Sequence, residues 1–460
     1  MSVTDLVKVV VSLSAAPSVT RPGFGVPMAL VYHSHFTDRV RVYSGSAALD
    51  GMVADGFLTT EPAYRLVAAM VSQDKVPTQI AIGRRANAFM QVLQVLFAST
   101  SSNDPPYALT LVGSDGVSHT HTMASTGVPA TDCAAFAALL TESNIGIVSH
   151  SSATLTITQT AGLLTDLQEW TPATMQVTNA TTDPGIAADF AAVKAANGDA
   201  WYGVCLDSNS KAEILALQQV VEATGVGGKI AFYDNSDHAN VDGSSTTDVF
   251  SRLEILGYKK CYCQHNGRKL LSYAGAAMAG LILADNPGAY QLSWRSLAGV
   301  PADDDVTLPE TQQLILNTAS TATPGTGGKN ANWYKRVGGT NLTMPGVTPT
   351  GQWFDFIIFQ DWLQANLQID IFAWRAGLKK APYTTPSLEA VGHLVKVRMV
   401  IGASAPYEGI VLDSIVVNVP KIEDVSQTDK NARNLSGFSA SGTLTGGINT
   451  VSDVEVTLSA

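Results

Sequence analysis

DAWYGVCLDSNSKAEILALQQVVEATGVGGKIAFYDN, Asp199 to Asn235, decides how this 460-residue chain folds. WYGVCLDS is a short apolar run with the look of a buried strand. SKAEILALQQVVEATG opens with a capping box, Ser210 to Glu213, and closes on Gly225, so it predicts a helix. KIAFYDN is a second buried strand. Strand, helix and strand at this spacing predict a βαβ crossover in a mostly parallel sheet.

The same alternation runs outward in both directions. TDPGIAADFAAVKAANG (182–198) predicts a helix with the face Ile186, Phe190 and Val193 and a stop at Asn197-Gly198. TTDVFSRLEILGY (246–258) predicts a helix and KKCYCQH (259–265) a strand. LLSYAGAAMAGLILA (270–284) is shorter than the ~20 residues that span a bilayer, so it reads as a buried helix whose small residues allow close packing. Upstream, MALVYH (28–33) and TQIAIGRR (78–85) are strands. TTEPAYRLVAAMVSQ (59–73) is a helix capped by Thr60, with Tyr64, Val67, Ala68 and Val71 on one face.

The texture changes near Ser99. A hairpin turning at GSDG (113–116), a helix at 129–144 capped by Thr131 or Asp132, and two alternating strands in NIGIVSHSSATLTITQT (144–160) predict an α+β unit inserted at 99–170. Beyond Asn286 the chain is looser. WFDFIIFQDWLQANLQIDIFAWR (353–375) predicts a long amphipathic helix with Ile358, Trp362, Ile369 and Phe372 on one face. A second helix is expected over 385–402, a strand in GIVLDSIVVNVPK (409–421), and a Gly/Ser-rich link over 426–447. The fold class expected is an α/β core, 21–98 and 171–430, with a mixed, mostly parallel sheet and helices on both faces. To it are added the 99–170 insertion, an N-terminal arm (1–20), and a C-terminal linker and arm (431–460).

Those arms are VKVVVSLSAAP (7–17) and INTVSDVEVTLSA (448–460), both strand-like. On the residues alone they would close their own domain's sheet as edge strands.

Composition excludes several function classes. The net charge is −11, from 28 basic and 39 acidic residues, which argues against a nucleic-acid surface. Charged residues make up 15% of the chain where about 25% is usual; either the surface is rich in Ser and Thr or much of it is hidden in an assembly. Four cysteines are too few for a disulfide scaffold and predict reduced thiols and a cytosolic origin. No signal peptide or membrane span is expected.

Catalytic chemistry is sparse. GVGGKI and GTGGKN resemble phosphate loops, but the first glycine of that spacing is missing, and Ile and Asn follow Lys229 and Lys329 where Ser or Thr is needed. No nucleophile-elbow serine occurs. Cys261, Cys263 and His265 share one strand face and suit zinc, but no second ligand pair is near in sequence and core cysteines are the preferred reading. His119 and His121 share a hairpin face and read as exposed strand residues. Asp303 to Asp305 read as a solvated loop cluster. No cofactor is expected, and nothing assembles into an active site.

FGVPMALVYH (24–33), AANGDAWYGVCLDS (195–208), WRSLAGVPADD (294–304), KNANWYKRVGG (329–339), GQWFDFIIFQDWLQANLQIDIF (351–372) and KKAPYTTPSLEAVGHLV (379–395) fall in an order and spacing that resembles one family. The chain is similar over about residues 20 to 420 to tail-sheath proteins of contractile-tailed bacteriophages, in the branch long known as a conserved phage protein of unknown function. The resemblance implies a structural protein, not an enzyme. It would be a homo-oligomer, a helical sheath of stacked hexameric rings around a tail tube protein, meeting baseplate and tail terminator proteins. It would contract to drive the tube through the host envelope, with no nucleic acid, membrane or nucleotide involved. Its place would be the tail of the virion, assembled in the host bacterial cytoplasm. The resemblance also implies that the terminal arms add strands to neighbouring subunits. A dozen extended residues reach roughly 40 Å, enough to leave one subunit and enter the next. Val9, Val11 and Leu13 in one arm, and Val454, Val456 and Leu458 in the other, would carry that contact. The helix with Lys396 and Arg398 would face the tube. The alternatives are the sheath of a phage-like injection particle (a tailocin), or an α/β enzyme with an inserted lid.

Overall fold

The structure, a computed structural model, describes residues 23–99, 101–172, 174–267, 269–303 and 329–448. The predicted arm strands with Val9, Val11 and Leu13 and with Val454, Val456 and Leu458 lie outside the described residues.

In chain order the first elements are β1 (Pro27–Tyr32), β2 (Val40–Ser44), α1 (Ala48–Ala54), α2 (Pro62–Val71) and β3 (Gln79–Arg85). The middle segment carries β4 (Val92–Leu96), β5 (Tyr107–Val112), β6 (Ser118–Met123), α3 (Pro129–Ala137), β7 (Ile147–Ser151), β8 (Thr154–Thr158), β9 (Asp166–Thr171) and β10 (Gln176–Asn179). The alternation resumes with α4 (Ile186–Asn197), β11 (Gly203–Leu206), α5 (Lys211–Glu222), β12 (Ile230–Asn235), α6 (Val249–Ile255), β13 (Cys261–His265) and α7 (Ala274–Leu283). The last elements are β14 (Asn332–Val337), β15 (Thr340–Met344), α8 (Phe354–Ala376), α9 (Thr385–Ala403), β16 (Val416–Asn418), α10 (Gln427–Ala432) and β17 (Ser439–Ser441).

The main sheet has eight strands in the order β15-β14-β13-β12-β11-β1-β3-β2. Six of them, β3 to β14 through β1, run parallel, and β2 and β15 close the edges antiparallel. Side chains alternate across it as a pleated strand requires. Along β1, Met28 and Leu30 point to α4, α5 and α6, while Ala29 and Val31 point to α2 and α7. Helices therefore cover both faces.

Every residue of α7 is buried. Its glycines permit this: a Cβ at Gly280 would collide with the Met70 carbonyl of α2, and one at Gly275 with the Tyr233 backbone of β12. A helix lying between another helix and a sheet has no polar face to show, hence the uniformly apolar sequence.

The middle segment builds two small sheets, β10-β4-β8-β7 and β6-β5-β9. β4 and β10, which enter and leave this segment, are antiparallel partners, Leu93 opposite Asn179. Leu109, Leu111, Phe136, Leu155 and Ile157 fill its core, which is continuous with the core under α2 and α7.

Several expectations need correction. Glu61, not Thr60, caps α2, and the buried face is Ala63, Leu66, Val67 and Met70, turned by about one position because that face meets α7. Val128 caps α3; Asp132 instead turns back to accept from the Thr126 N–H (3.0 Å) and hydroxyl (2.5 Å), closing the preceding loop. The strand expected over 409–421 shrinks to Val416–Asn418, since Leu412–Ser414 forms a 3-10 turn. The expected link contains α10 and β17, and β17 pairs with β16. On α8, Ile358 and Trp362 are buried but Phe372 is 67% exposed, because the helix runs past the edge of what it packs on. No described helix is long and apolar enough to cross a membrane.

Candidate functional site

In a parallel α/β sheet the ligand crevice lies beyond the carboxyl ends of the strands, where strand order reverses. That point here falls between β1 and β11. It is filled. Arg85, the last residue of β3, donates to Asp207 just past β11 (2.5 Å) and to Glu213 in the first turn of α5. All three side chains are buried. Asp207 also accepts the Tyr32 N–H at the end of β1, 2.8 Å away. Burial pushes the Glu213 carboxyl above its ordinary range, with Arg85 pulling the other way.

A network of buried amides continues along the rim. Asn179 donates to Asn209 (2.8 Å), Asn235 to the Asn209 carbonyl (2.7 Å), and Asn240 to Asn235 (2.6 Å). Asp234 accepts from Asn266 (2.6 Å) and from the Gly275 N–H (3.3 Å); burial raises its carboxyl to about 7. The cavity beside Asp234, lined by Cys205, Asn209 and Tyr273, measures about 10 Å³, room for about one water. The middle segment roofs this rim: Asp166 of β9 holds Arg65 (2.6 Å) and accepts the Leu271 N–H (3.1 Å).

The Gly-rich lysines are structural pins. Lys229 lies over the Trp201 ring (3.9 Å) and donates to the Gly198 and Trp201 carbonyls. Lys329 donates to the carbonyls of Ala239, Asn240 and Asp242 and to Asp248, at 2.7–3.1 Å. Cys261 and Cys263 pack against α5 and α6 as free thiols, pushed up by burial. His265 sits apart from them on the polar rim, lowered to about 3 by burial, with Asp303 at 3.6 Å. Asp303 is buried, not solvated. His119 and His121 are half-buried, and both approach Glu142, at 3.7 and 3.1 Å. Among the described residues no three His, Cys, Asp or Glu side chains are grouped to hold a metal.

The opposite rim carries the long helices. Asp361 of α8 accepts from Lys260, Tyr202 and the Gly227 N–H, which precede β13, β11 and β12. α9 folds back on α8, and Arg398 grips Asp370 with two bonds of 2.7 and 2.8 Å. Lys396, two positions earlier and so on another face, is exposed. The structure thus separates this predicted pair. The β16–β17 ribbon stands beside α9 with most of its residues exposed.

No family model matches the chain, and no curated protein matches it in sequence. Solved structures do match. A sheath chain of an extracellular contractile injection system, the PVC sheath complex in its contracted state, covers 98% of this chain and 96% of its own length at 10% identity and a TM-score of 0.50. The fold is that of a contractile sheath protein. A sheath tail protein from Listeria innocua (9% identity, 85% of this chain and 88% of that one, TM-score 0.44) and a chain of the anti-feeding prophage baseplate (11% identity, 60% and 74%, TM-score 0.43) are also similar. Within this sheath fold, sequence reasoning missed the β14–β15 hairpin, although Gly338-Gly339 between two alternating runs was its signal.

Proposed function

We propose that this chain is a tail sheath subunit. It polymerises helically around a tail tube in stacked rings and contracts to drive the tube through a cell envelope. The observation that carries the reading is the likeness, over nearly the full length of both chains, to a sheath chain of a contractile assembly. The closed carboxyl rim supports it against the enzyme alternative, which needs an open pocket where Arg85 sits. Neighbours are linked by exchanged terminal strands, with Val9, Val11, Leu13, Val454, Val456 and Leu458 as the apolar faces of the arms. The exposed β16–β17 ribbon offers edges for those arms. Lys396, exposed on α9, faces the tube. The likeness to an extracellular injection system favours, as the second reading, the sheath of such a particle rather than of a virion.

The test is negative-stain electron microscopy of the purified chain with and without residues 1–16, alone and with a tube template. Tubes or rings lost on truncation, with unchanged circular dichroism, support the reading. Compact monomers from both proteins at high concentration, even with the template, overturn it.

A further inference from the structure

The turn between α8 and α9, the start of α9 and the α10 region enclose a groove of about 730 Å³. Arg375, Lys379, Lys380, Lys430 and Arg433 line it beside Trp374, and no carboxylate does. Arg375 and Lys430 donate only to backbone carbonyls, of Leu378 (3.2 Å) and Ile422 (3.0 Å), and none of the five is in an ion pair among the described residues. By contrast Arg39, Arg65, Arg85 and Arg398 each hold a carboxylate. Ser387 and Leu388, in the first turn of the 19-residue α9, also line the groove, so the positive end of that helix points the same way. In a chain of net charge −11 this is a local reversal of sign built to meet an anion.

We propose that the groove receives the acidic face of residues 449–460 of a neighbouring copy; this rests on the sheath reading. That segment holds Asp453 and Glu455 and no Lys, Arg or His. Read as a strand, it puts Asp453 and Glu455 on one face and Val454, Val456 and Leu458 on the other. The acidic face then has a partner distinct from the apolar one. The groove of the same copy lies at the limit of this segment's backbone reach. Ile448, 77% exposed, lies two residues past Gly446, which faces Phe356 at the start of α8, while Arg375 lies at the far end of that helix. The helical rise puts Phe356 and Arg375 about 28 Å apart. Glu455, seven residues past Ile448, reaches only about 23 Å when fully extended. Arg433 and Leu435, by contrast, lead within a few residues into β17. An arm laid on that ribbon brings its charged face beside the groove, and the ion pairs fix its register.

The experiment uses the full chain and three variants, K379E/K380E, D453K/E455K and all four changes together, with thermal midpoints checked first. Polymer formation is read by light scattering and electron microscopy at 50 and 500 mM salt. The expected result is a critical concentration raised at least tenfold in each of the first two, and restored both in the four-fold variant and on mixing the first two. An unchanged critical concentration, or a four-fold variant that does not recover, overturns the proposal. Loss of tube attachment alone in K379E/K380E, with the arm variant unaffected, also overturns it in favour of an acidic tube surface. If the wild-type chain does not polymerise at all, with or without a tube template, the sheath reading fails by itself. A fluorescent 449–460 peptide titrated onto the full chain then decides: binding weakened tenfold by K379E/K380E retains the groove's ligand, and no binding removes it.

Discussion

Lys260 and Asp361 form a buried ion pair, with Nζ 2.8 and 3.0 Å from the two carboxylate oxygens, that ties α8, the longest described helix, to the sheet. The same carboxylate accepts the Tyr202 hydroxyl (2.8 Å) and the Gly227 N–H (2.7 Å). Asp361→Ala leaves the buried Lys260 ammonium without its carboxylate. Breaking a buried pair from one side costs about 3–5 kcal/mol, so urea unfolding should show a loss of that size. Lys260→Met should cost less, since the carboxylate keeps two donors. A loss under about 1 kcal/mol for Asp361→Ala would mean the pair is not what holds α8 in place.

Acid and base should act on different buried groups. His33 packs against Phe36 and Phe57 with neither ring nitrogen hydrogen-bonded, and burial lowers it to about 3. Its unfolded value is higher, so its neutral form stabilises the fold above about pH 6.5, and that contribution is lost as pH falls toward 3. His33→Phe should therefore gain stability relative to wild type below pH 6.5. Asp234 is raised to about 7, so the folded chain holds its proton where the unfolded chain has lost it. Its contribution falls as pH rises from about 4 through 7, so Asp234→Asn should gain steadily on wild type over that range and keep the gain above pH 7. Thermal midpoints from pH 4 to 9 check both; parallel profiles for variant and wild type would refute the assignment.

Two glycines separate packing from composition. Gly280→Ala forces α7 off the Met70 backbone, which cannot move as a flexible side chain would. Overpacking of this kind costs about 1–3 kcal/mol or more. A Cβ at Gly446 meets only Phe356, at 4.0 Å, so Gly446→Ala should fall within about 0.5 kcal/mol of wild type. Chemical denaturation of the two variants side by side is the check.

The predicted tube-facing pair now divides into two experiments. Lys396→Glu should weaken tube attachment in a cosedimentation assay and leave the thermal midpoint unchanged. Arg398→Glu should lower the midpoint as well, because it opposes Asp370 across the α8–α9 contact. Adding Asp370→Arg to Arg398→Glu should recover the midpoint. No recovery would show that Arg398 acts mainly through its position over Trp362, 5.8 Å from the ring.

The alternating core was legible because its signals are local. The Ser210 hydroxyl does accept the Glu213 N–H, and Gly225 does adopt a positive φ. The site was less legible because its partners are distant in sequence. Arg85 finds Asp207 and Glu213 more than 120 residues away, and Arg398 finds Asp370 on another helix. Periodicity placed Phe372 on the apolar stripe of α8, but it cannot say where the surface beneath that stripe ends. The lysines in GVGGKI and GTGGKN follow glycine turns as phosphate-binding lysines do; only the fold reveals that their targets are the chain's own carbonyls.

The guanidinium of Arg85, clamped at the switch point of the sheet, also bears on mechanics. A sheet that keeps a crevice there must loosen to admit and release its guest. Here Arg85, Asp207 and Glu213 fill that place, and the middle segment packs over it. In the proposed sheath such a subunit would act as a rigid link, and the stroke would come from how the links are joined.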